Sequence, residues 1–349
     1  MAKHSFPKNQ HYVPQSILKG FAHGKKKKVW AYDKHTDNIF ETQIRNIAAE
    51  TGFYDISGKE LSEKLMKDDK FEKNDLPQEV IDFLKTGNYT ITMEEKFNKL
   101  EDKAASIVEK MIKADAISGL TEEEKVIFGL FLAVQQLRVK VTALQIRQMF
   151  NGIKEHCVKM GFTEGQIDKS MAMDKTDLKM FHLRTIMKAD RNLPQFLNKK
   201  WILLKAPERE NLYIGDNPVT LQNQNDYSPY GNLGLAVKGI EIYFPISHKY
   251  ELALFCPSIE EAFLELEDKL KEFPHYEPKI GRAYLNEMIE GFKSGRSVTL
   301  QREMVENLNY LQVMFSCRFV FSQSNNFEIV RKMIENREEY RGFLKMEWH

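Results

Sequence analysis

Four stretches of the sequence hold side chains whose types and spacing could do chemistry. The first is "NQHYVPQSILKGF" (9–21), where His11 stands just ahead of Val13-Pro14. A residue before proline is held extended, so this segment is stiff enough to aim an imidazole. His11 could serve as a general acid or base, as a metal ligand, or as a packed hydrogen-bonder. The second is "AVQQLR" (133–138), where Gln135 and Arg138 lie three apart and share a helix face. That helix is otherwise apolar, so the Arg needs either an internal carboxylate or the phosphate or carboxylate of a ligand. The third is "GDNPV" (215–219), in which Asp216 and Asn217 follow an apolar strand; the fourth, "NIAAETGFYD" (46–55), contributes Glu50. Asp or Asn before Pro commonly closes a turn on its own backbone, and a loop acid after a strand is also where ligand-facing groups occur.

Together these types fit phosphodiester cleavage. His11 would act as general acid or base, Asp216 or Glu50 would orient it or hold a divalent metal, and Arg138 would stabilise phosphoryl charge. The rival reading is a buried polar network that fixes the fold of a protein binding a ligand or partner. Other chemistries lack their motifs. There is no HExxH, no DxDxDG loop and no paired His at helical spacing, so a metal site would need His11, Glu50 and Asp216 brought together by the fold. There is no GxGxxG, phosphate-binding loop or GxSxG. Cys157, Cys256 and Cys317 are far apart, without CxxC spacing, which suits inert thiols in a reducing compartment.

The elements that must position these groups follow from periodicity. "KVWAYD" (28–33) and "NIFETQI" (38–44) flank the polar "KHTD", the pattern of a hairpin. Lys25–Lys28 just before it reads as a solvated loop or edge guard, or as a phosphate patch. From residue 77 the period becomes helical. Phe97, Leu100, Ala104, Ile107, Val108 and Met111 form an apolar stripe, and Thr121 with Glu124 makes a capping box before a run expected to stay helical through Val141. Further helices are expected near 163–172 and 174–187. Strands return at 200–206, 211–215, 239–247 and 250–256, with Pro245 marking an edge or a strand end. Helices follow over 258–273 and 282–294, and a long one is expected from about 298 to 322. This order predicts an α+β fold that is predominantly helical, with an N-terminal β-hairpin region and a short, mainly antiparallel sheet in the second half.

Composition narrows the function. The 349 residues are 42% hydrophobic, enough for a substantial core, and 51 basic against 50 acidic residues leave a formal charge of +1. That balance gives no global attraction to duplex DNA or an anionic membrane, and turns the expectation toward RNA or a nucleotide. No stretch reaches the roughly 18 apolar residues of a membrane span. Without an apolar leader either, a cytoplasmic protein is expected.

The ordered series "NQHYVPQSILKGFA", "VWAYDK", "IAAETGFYD", "AVQQLR", "KWILL", "YIGDNPV" and "IYFPIS" resembles the DUF4238 family of bacterial proteins. The resemblance implies one domain over 1–325, with a β part (9–56), a helical middle (77–190) and a β/helical second half (200–325), followed by a helical tail (326–349). Carried over by position, it implies His11, Gln15, Glu50, Gln135, Arg138, Asp216 and Asn217 as polar site positions, with Gln15, Gln135 and Asn217 on the substrate side. Asn309 and Arg318 match near the C-terminus. The family pattern has a small hydroxyl residue where this chain has Gly215, and a proline soon after the Gln…Arg where this chain has Val139-Lys140-Val141. It also implies a toxin or defence role.

Overall fold

The computed structural model describes residues 9–65, 78–163, 165, 173–225 and 231–343. The chain opens with strand β1 (Asn9–His11) and the single turn α1 (Gln15–Leu18). The expected hairpin follows, β2 (Lys28–Asp33) antiparallel to β3 (Asn38–Gln43), with Asp33 opposite Asn38. Asp37 takes a left-handed φ of 55°, a conformation its short polar side chain tolerates, and this closes the turn. Strand β4 (Ala49–Thr51) pairs with β1, and β5 (Ile56–Ser57) leads into α2 (Gly58–Leu65).

The middle is helical, with α3 (Gln78–Thr86), the short β6 (Thr90–Ile91) paired to β5, α4 (Glu94–Ala114) and α5 (Glu122–Leu137). Both halves of the Thr121/Glu124 capping box are formed. The helix does not continue through Val141. Val139 is extended (φ −78°, ψ 160°), and α6 (Lys140–Lys159) starts anew at 51° to α5. Val139 is wholly buried with Val141 and Cys317, so apolar packing of a β-branched residue replaces the helical bond at the break. Helices α7 (Lys175–Met187) and α8 (Leu193–Leu197) complete the layer, and the helix expected near 163–172 falls outside the described residues.

The second half builds strands β7 (Lys200–Lys205), β8 (Ile214–Gly215), β9 (Thr220–Gln222), β10 (Glu241–Pro245) and β11 (Tyr250–Phe255). After α9 (Pro257–Glu272) and α10 (Arg282–Ser294) come β12 (Val298–Thr299), α11 (Arg302–Phe315), β13 (Phe319–Ser322) and α12 (Glu328–Asn336). The long helix expected over 298–322 is therefore three elements. Phe319–Ser322 is a strand because its alternating apolar residues are needed between β2 and β8.

Two principal sheets result. One, ordered β3-β2-β13-β8, joins the N-terminal hairpin to a C-terminal strand; the other, β12-β7-β11-β10-β9, is antiparallel apart from the β12–β7 pair. Pro245 is the last residue of β10, which lies inside the sheet. Helix α5 packs across the larger sheet, with Phe131 edge-on to Phe244 at 5.7 Å and Phe128 edge-on to Trp201 at 6.2 Å. Helix α12 packs Val330, Met333 and Ile334 against Tyr32 and Tyr213. No single helix among the described residues is long and apolar enough to cross a membrane; α5 and α6 pass such a test only as a bent pair.

Gly215 precedes the Asp-Asn-Pro turn where the backbone meets α11. A β-carbon there would stand 2.9 Å from the Gln312 carbonyl oxygen and 3.1 Å from Ser316 Cβ. Gly215→Ser is expected to lower stability by ~1–3 kcal/mol in urea denaturation followed by circular dichroism.

Candidate functional site

Two of the singled-out side chains, Arg138 and Gln135, converge on the backbone of β1 and the residue after it. Arg138, at the C-terminal cap of α5, is 2% exposed. Its guanidinium donates to the His11 carbonyl and to Glu101 Oε1, both at 2.6 Å, and stacks on Phe97 at 4.7 Å. Tyr54 in turn donates its hydroxyl to the Arg138 carbonyl at 2.9 Å. Gln135 Nε2 donates to the Tyr12 carbonyl at 2.9 Å. Gln10, fully buried, accepts from Tyr54 N at 2.6 Å and donates to Asp55 at 2.6 Å. The His11 imidazole hydrogen-bonds with the backbone of Ile44 and Arg45, and burial lowers its pKa against the opposing pull of those bonds. Its enclosed Nε2 has no hydrogen-bond partner.

A second group closes on the turn between α11 and β13. Asp216, 1% exposed, accepts from the backbone N–H of Cys317 (2.6 Å), Arg318 (2.9 Å) and Phe319 (2.9 Å). Burial raises its pKa, while those donors and the nearby Lys34 pull the other way. Asn217 donates to the Phe315 carbonyl at 3.1 Å, and Gln312 bridges Gly215 N and Pro218 O. Lys34 is fully buried and donates to the carbonyls of Val313 (2.8 Å) and Ser316 (2.7 Å), with its pKa pushed down by burial to about 8. Arg318 forks onto Asp33 at 3.0 and 2.7 Å, and Asn309 holds Tyr213 N at 2.7 Å and Asn211 O at 2.9 Å. Tyr12 stands between the two groups. Its phenol is raised chiefly by burial and further by the charges of Asp216 and Glu50.

Glu50 is exposed and pairs with Lys140 at 3.0 Å. Among the described residues no group of three or more His, Cys, Asp or Glu could hold a metal ion, so His11, Glu50 and Asp216 are not assembled into one. Gln15 goes elsewhere. It lines an open pocket of about 390 Å³ together with Ser16, Lys19, Lys26, Lys27, Gln43, Ile44 and Arg45. The His11 imidazole touches the same Ile44–Arg45 backbone that forms one wall. Lys27 takes a left-handed φ of 48°, turning the lysine run back beside Arg45, and its carbonyl receives Ile44 N at 3.2 Å. Among the described residues, four cations and no carboxylate line this pocket. Lys19 has a loose contact with exposed Glu109 at 3.7 Å, and Lys26, Lys27 and Arg45 have no ion pair among the described residues.

Sequence reasoning singled out the lysine run but missed Arg45 and Lys19 as its companions, because only the turn at Lys27 and the end of β3 bring them together. It missed Lys34 entirely. Inside "KHTD" that residue looks like any solvated turn lysine.

Glu94 supplies a titration handle on the Arg138 network. Burial, with Glu101 and Asp55 nearby, pushes its pKa up to about 7 against the opposing pull of Arg138. A carboxyl raised in the fold contributes stability that is fully present below its ordinary value of 4.5 and is lost as the pH rises through about 7. Glu94→Gln removes this dependence. The variant's Tm relative to the parent is expected to climb between pH 4.5 and 8; a flat difference across that window would refute the assignment.

No curated protein matches the chain, and no solved structure does. The family model described as "Protein of unknown function (DUF4238)" matches residues 9–326, and on that span the chain belongs to the DUF4238 family.

Proposed function

We propose that this chain binds a phosphate-bearing ligand, RNA or a nucleotide, in the basic pocket, and that its buried His–Arg–Asp groups hold the fold around it. The observation that carries the reading is the pocket lining, in which Lys19, Lys26, Lys27 and Arg45 converge with no carboxylate among them. Cations set this close, of which Lys19 alone has a loose ion pair among the described residues, repel one another, and a polyanion relieves that repulsion while giving each a charge-assisted partner. Arg45 offers a planar fork for phosphate oxygens and the lysines offer mobile point charges. A pocket of about 390 Å³ is of nucleotide size, and a single strand could present one phosphate group there at a time.

A second reading, phosphodiester cleavage, is favoured by His11. It combines an imidazole whose pKa burial lowers with an Nε2 that has no partner among the described residues, packed on the backbone that walls the pocket. It is a general base by chemistry, though enclosed, and a ligand would reach it only if that wall moved. Arg138 and Asp216 would not join it, since Arg138 commits Nη1 to Glu101 and Nη2 to the His11 carbonyl and keeps only an enclosed Nε without a partner among the described residues, and Asp216 is committed to backbone. A toxin or defence role in a bacterial cytoplasm would be compatible with either reading.

Fluorescence anisotropy with a labelled single-stranded RNA, and calorimetry with ATP, test the binding. With four cations engaged, log K for RNA should fall with log salt at a slope near −3, and each Lys→Ala or Arg→Ala change should shrink that slope by roughly 0.7. Binding untouched by Lys26→Glu and Arg45→Glu in folded protein would sink the proposal. The same RNA, incubated with and without Mg²⁺ or EDTA, tests cleavage. If cleavage occurs, folded His11→Ala should lose it while still binding RNA; cleavage that survives His11→Ala would remove the imidazole from any mechanism.

A further inference from the structure

A second pocket, of opposite character, opens on the larger sheet. It has a volume of about 400 Å³, and its apolar wall includes Phe255, Ile259, Phe263, Tyr284, Met288 and Met304. Among the described residues that line it, the only charged side chain is Glu241. The strand register explains what lies at its floor. Tyr243 of β10 faces Ala253 of β11 and Thr220 of β9, while Glu241 faces Phe255 and Gln222, and Pro245 faces Glu251. Directly paired residues share a sheet face, and so do residues two apart along a strand. Glu241, Tyr243, Glu251 and Thr220 therefore all project from the side on which the pocket opens; Glu241 and Tyr243 line it, and Glu251 and Thr220 lie on the same face outside its lining.

Two of these groups are unsatisfied in a way the fold alone does not require. Glu251 is 1% exposed and neither of its carboxyl oxygens has a hydrogen-bond partner; Thr220, at 0% exposure, leaves its hydroxyl equally unpartnered. Glu241 is 9% exposed and has one partner on this face, the Tyr243 hydroxyl. Buried carboxyl groups without a counter-charge are costly, and no lysine or arginine lines the pocket to offset them. Burial pushes both carboxyls upward in pKa, Glu251 well above its ordinary value. Tyr243 and Tyr284 both feel the Glu241 charge, and Phe255 meets Tyr243 edge-on at 5.9 Å. Aromatic faces beside a carboxylate in a partly enclosed pocket are a setting that attracts cations.

We propose that this pocket is a binding site for an organic cation, a small apolar molecule carrying one amine, whose ammonium group is received by Glu241 among Tyr243 and Tyr284 and whose hydrocarbon body lies against Phe255, Phe263 and Met288. The site is separate from the basic pocket in its residues and in the sign of its charge, so the two proposals stand or fall independently.

Calorimetry or ligand-observed NMR with phenethylamine, its uncharged isostere 2-phenylethanol and the anion 3-phenylpropionate tests it on the full chain. Phenethylamine is expected to bind with Kd on the order of 1 mM or tighter, a reasonable figure for so small a probe. The alcohol and the anion should bind at least about tenfold more weakly. Glu241→Gln should weaken the amine by about tenfold or more and leave the alcohol unchanged. Met304→Trp, which fills the apolar wall, should abolish binding of all three and serves even if Glu241→Gln fails to fold. No binding of phenethylamine to the parent, equal binding of amine and alcohol, or full amine affinity in folded Met304→Trp would each overturn the assignment.

Discussion

The Asp216 carboxylate and the Lys34 ammonium grip one turn of backbone from opposite chemical sides. At the end of α11 the carbonyls of Val313 and Ser316 have lost their helical donors, and Lys34 supplies replacements. Immediately beyond, the N–H groups of Cys317, Arg318 and Phe319 need acceptors, and Asp216 supplies them. The turn therefore ties together the β2–β3 hairpin, the strand-end after β8 and the junction of α11 with β13, which lie far apart in sequence. Each charge also justifies the other's burial. Either one alone in this interior would cost several kcal/mol, and the pair is tolerable because both are hydrogen-bonded to backbone and attract each other. Arg318 adds an outer layer by forking onto Asp33, the residue before Lys34, so the same contact is fastened twice.

The N-terminal segment rests on a comparable device. Strand β1 has three residues and among the described residues pairs only with β4, too little hydrogen bonding to hold it by itself. Arg138 and Gln135 reach it from the end of α5 and bind the carbonyls of His11 and Tyr12. The break at Val139 matters here. A helix that continued would put further side chains where the Arg138 cap now meets Tyr54. Past β1, Gly20 fits closely under the larger sheet, where its carbonyl receives the backbone N–H and the Nδ1 of His248 at 3.1 and 2.9 Å. With both ends fixed, Lys19 and Gln15 are carried to the rim of the basic pocket rather than left to solvent.

Local pattern made much of this legible. The hairpin, the Thr121/Glu124 cap, the strands at 200–205 and 250–255 and the helix at 282–294 are each specified by residues within a turn or two of one another. What escaped notice was non-local. The strand at 319–322 is written in the same apolar residues that a helix would use, and only the demand for a partner between β2 and β8 decides it. The polar residues of the Asp-Asn-Pro turn, His11 and Arg138 were visible as unusual, because charged groups in apolar surroundings must be answered somewhere. Which groups answer them was not visible: Glu101 and Lys34 sit in surface-like contexts, and their burial is a product of the fold.

The formal charge of +1 turns out to be a poor guide to what this chain attracts. Two pockets of nearly equal volume carry opposite signs, one lined by four cations and the other with Glu241 as its one charged residue among the described residues. Fields in a cleft are set by groups within about a Debye length, roughly 8 Å at physiological salt, so a neutral total permits strong and opposite local potentials. The same reasoning separates binding from catalysis here. A group that does chemistry must keep at least one atom uncommitted, and the Asp216 and Arg138 contacts with backbone and Glu101 leave little of either free. Among the described residues His11 leaves Nε2 unpartnered on the backbone that walls the basic pocket, and Glu251 leaves both carboxyl oxygens unpartnered on the sheet face from which the acidic one opens. A ligand that reached either would use hydrogen-bonding capacity that the fold leaves idle there.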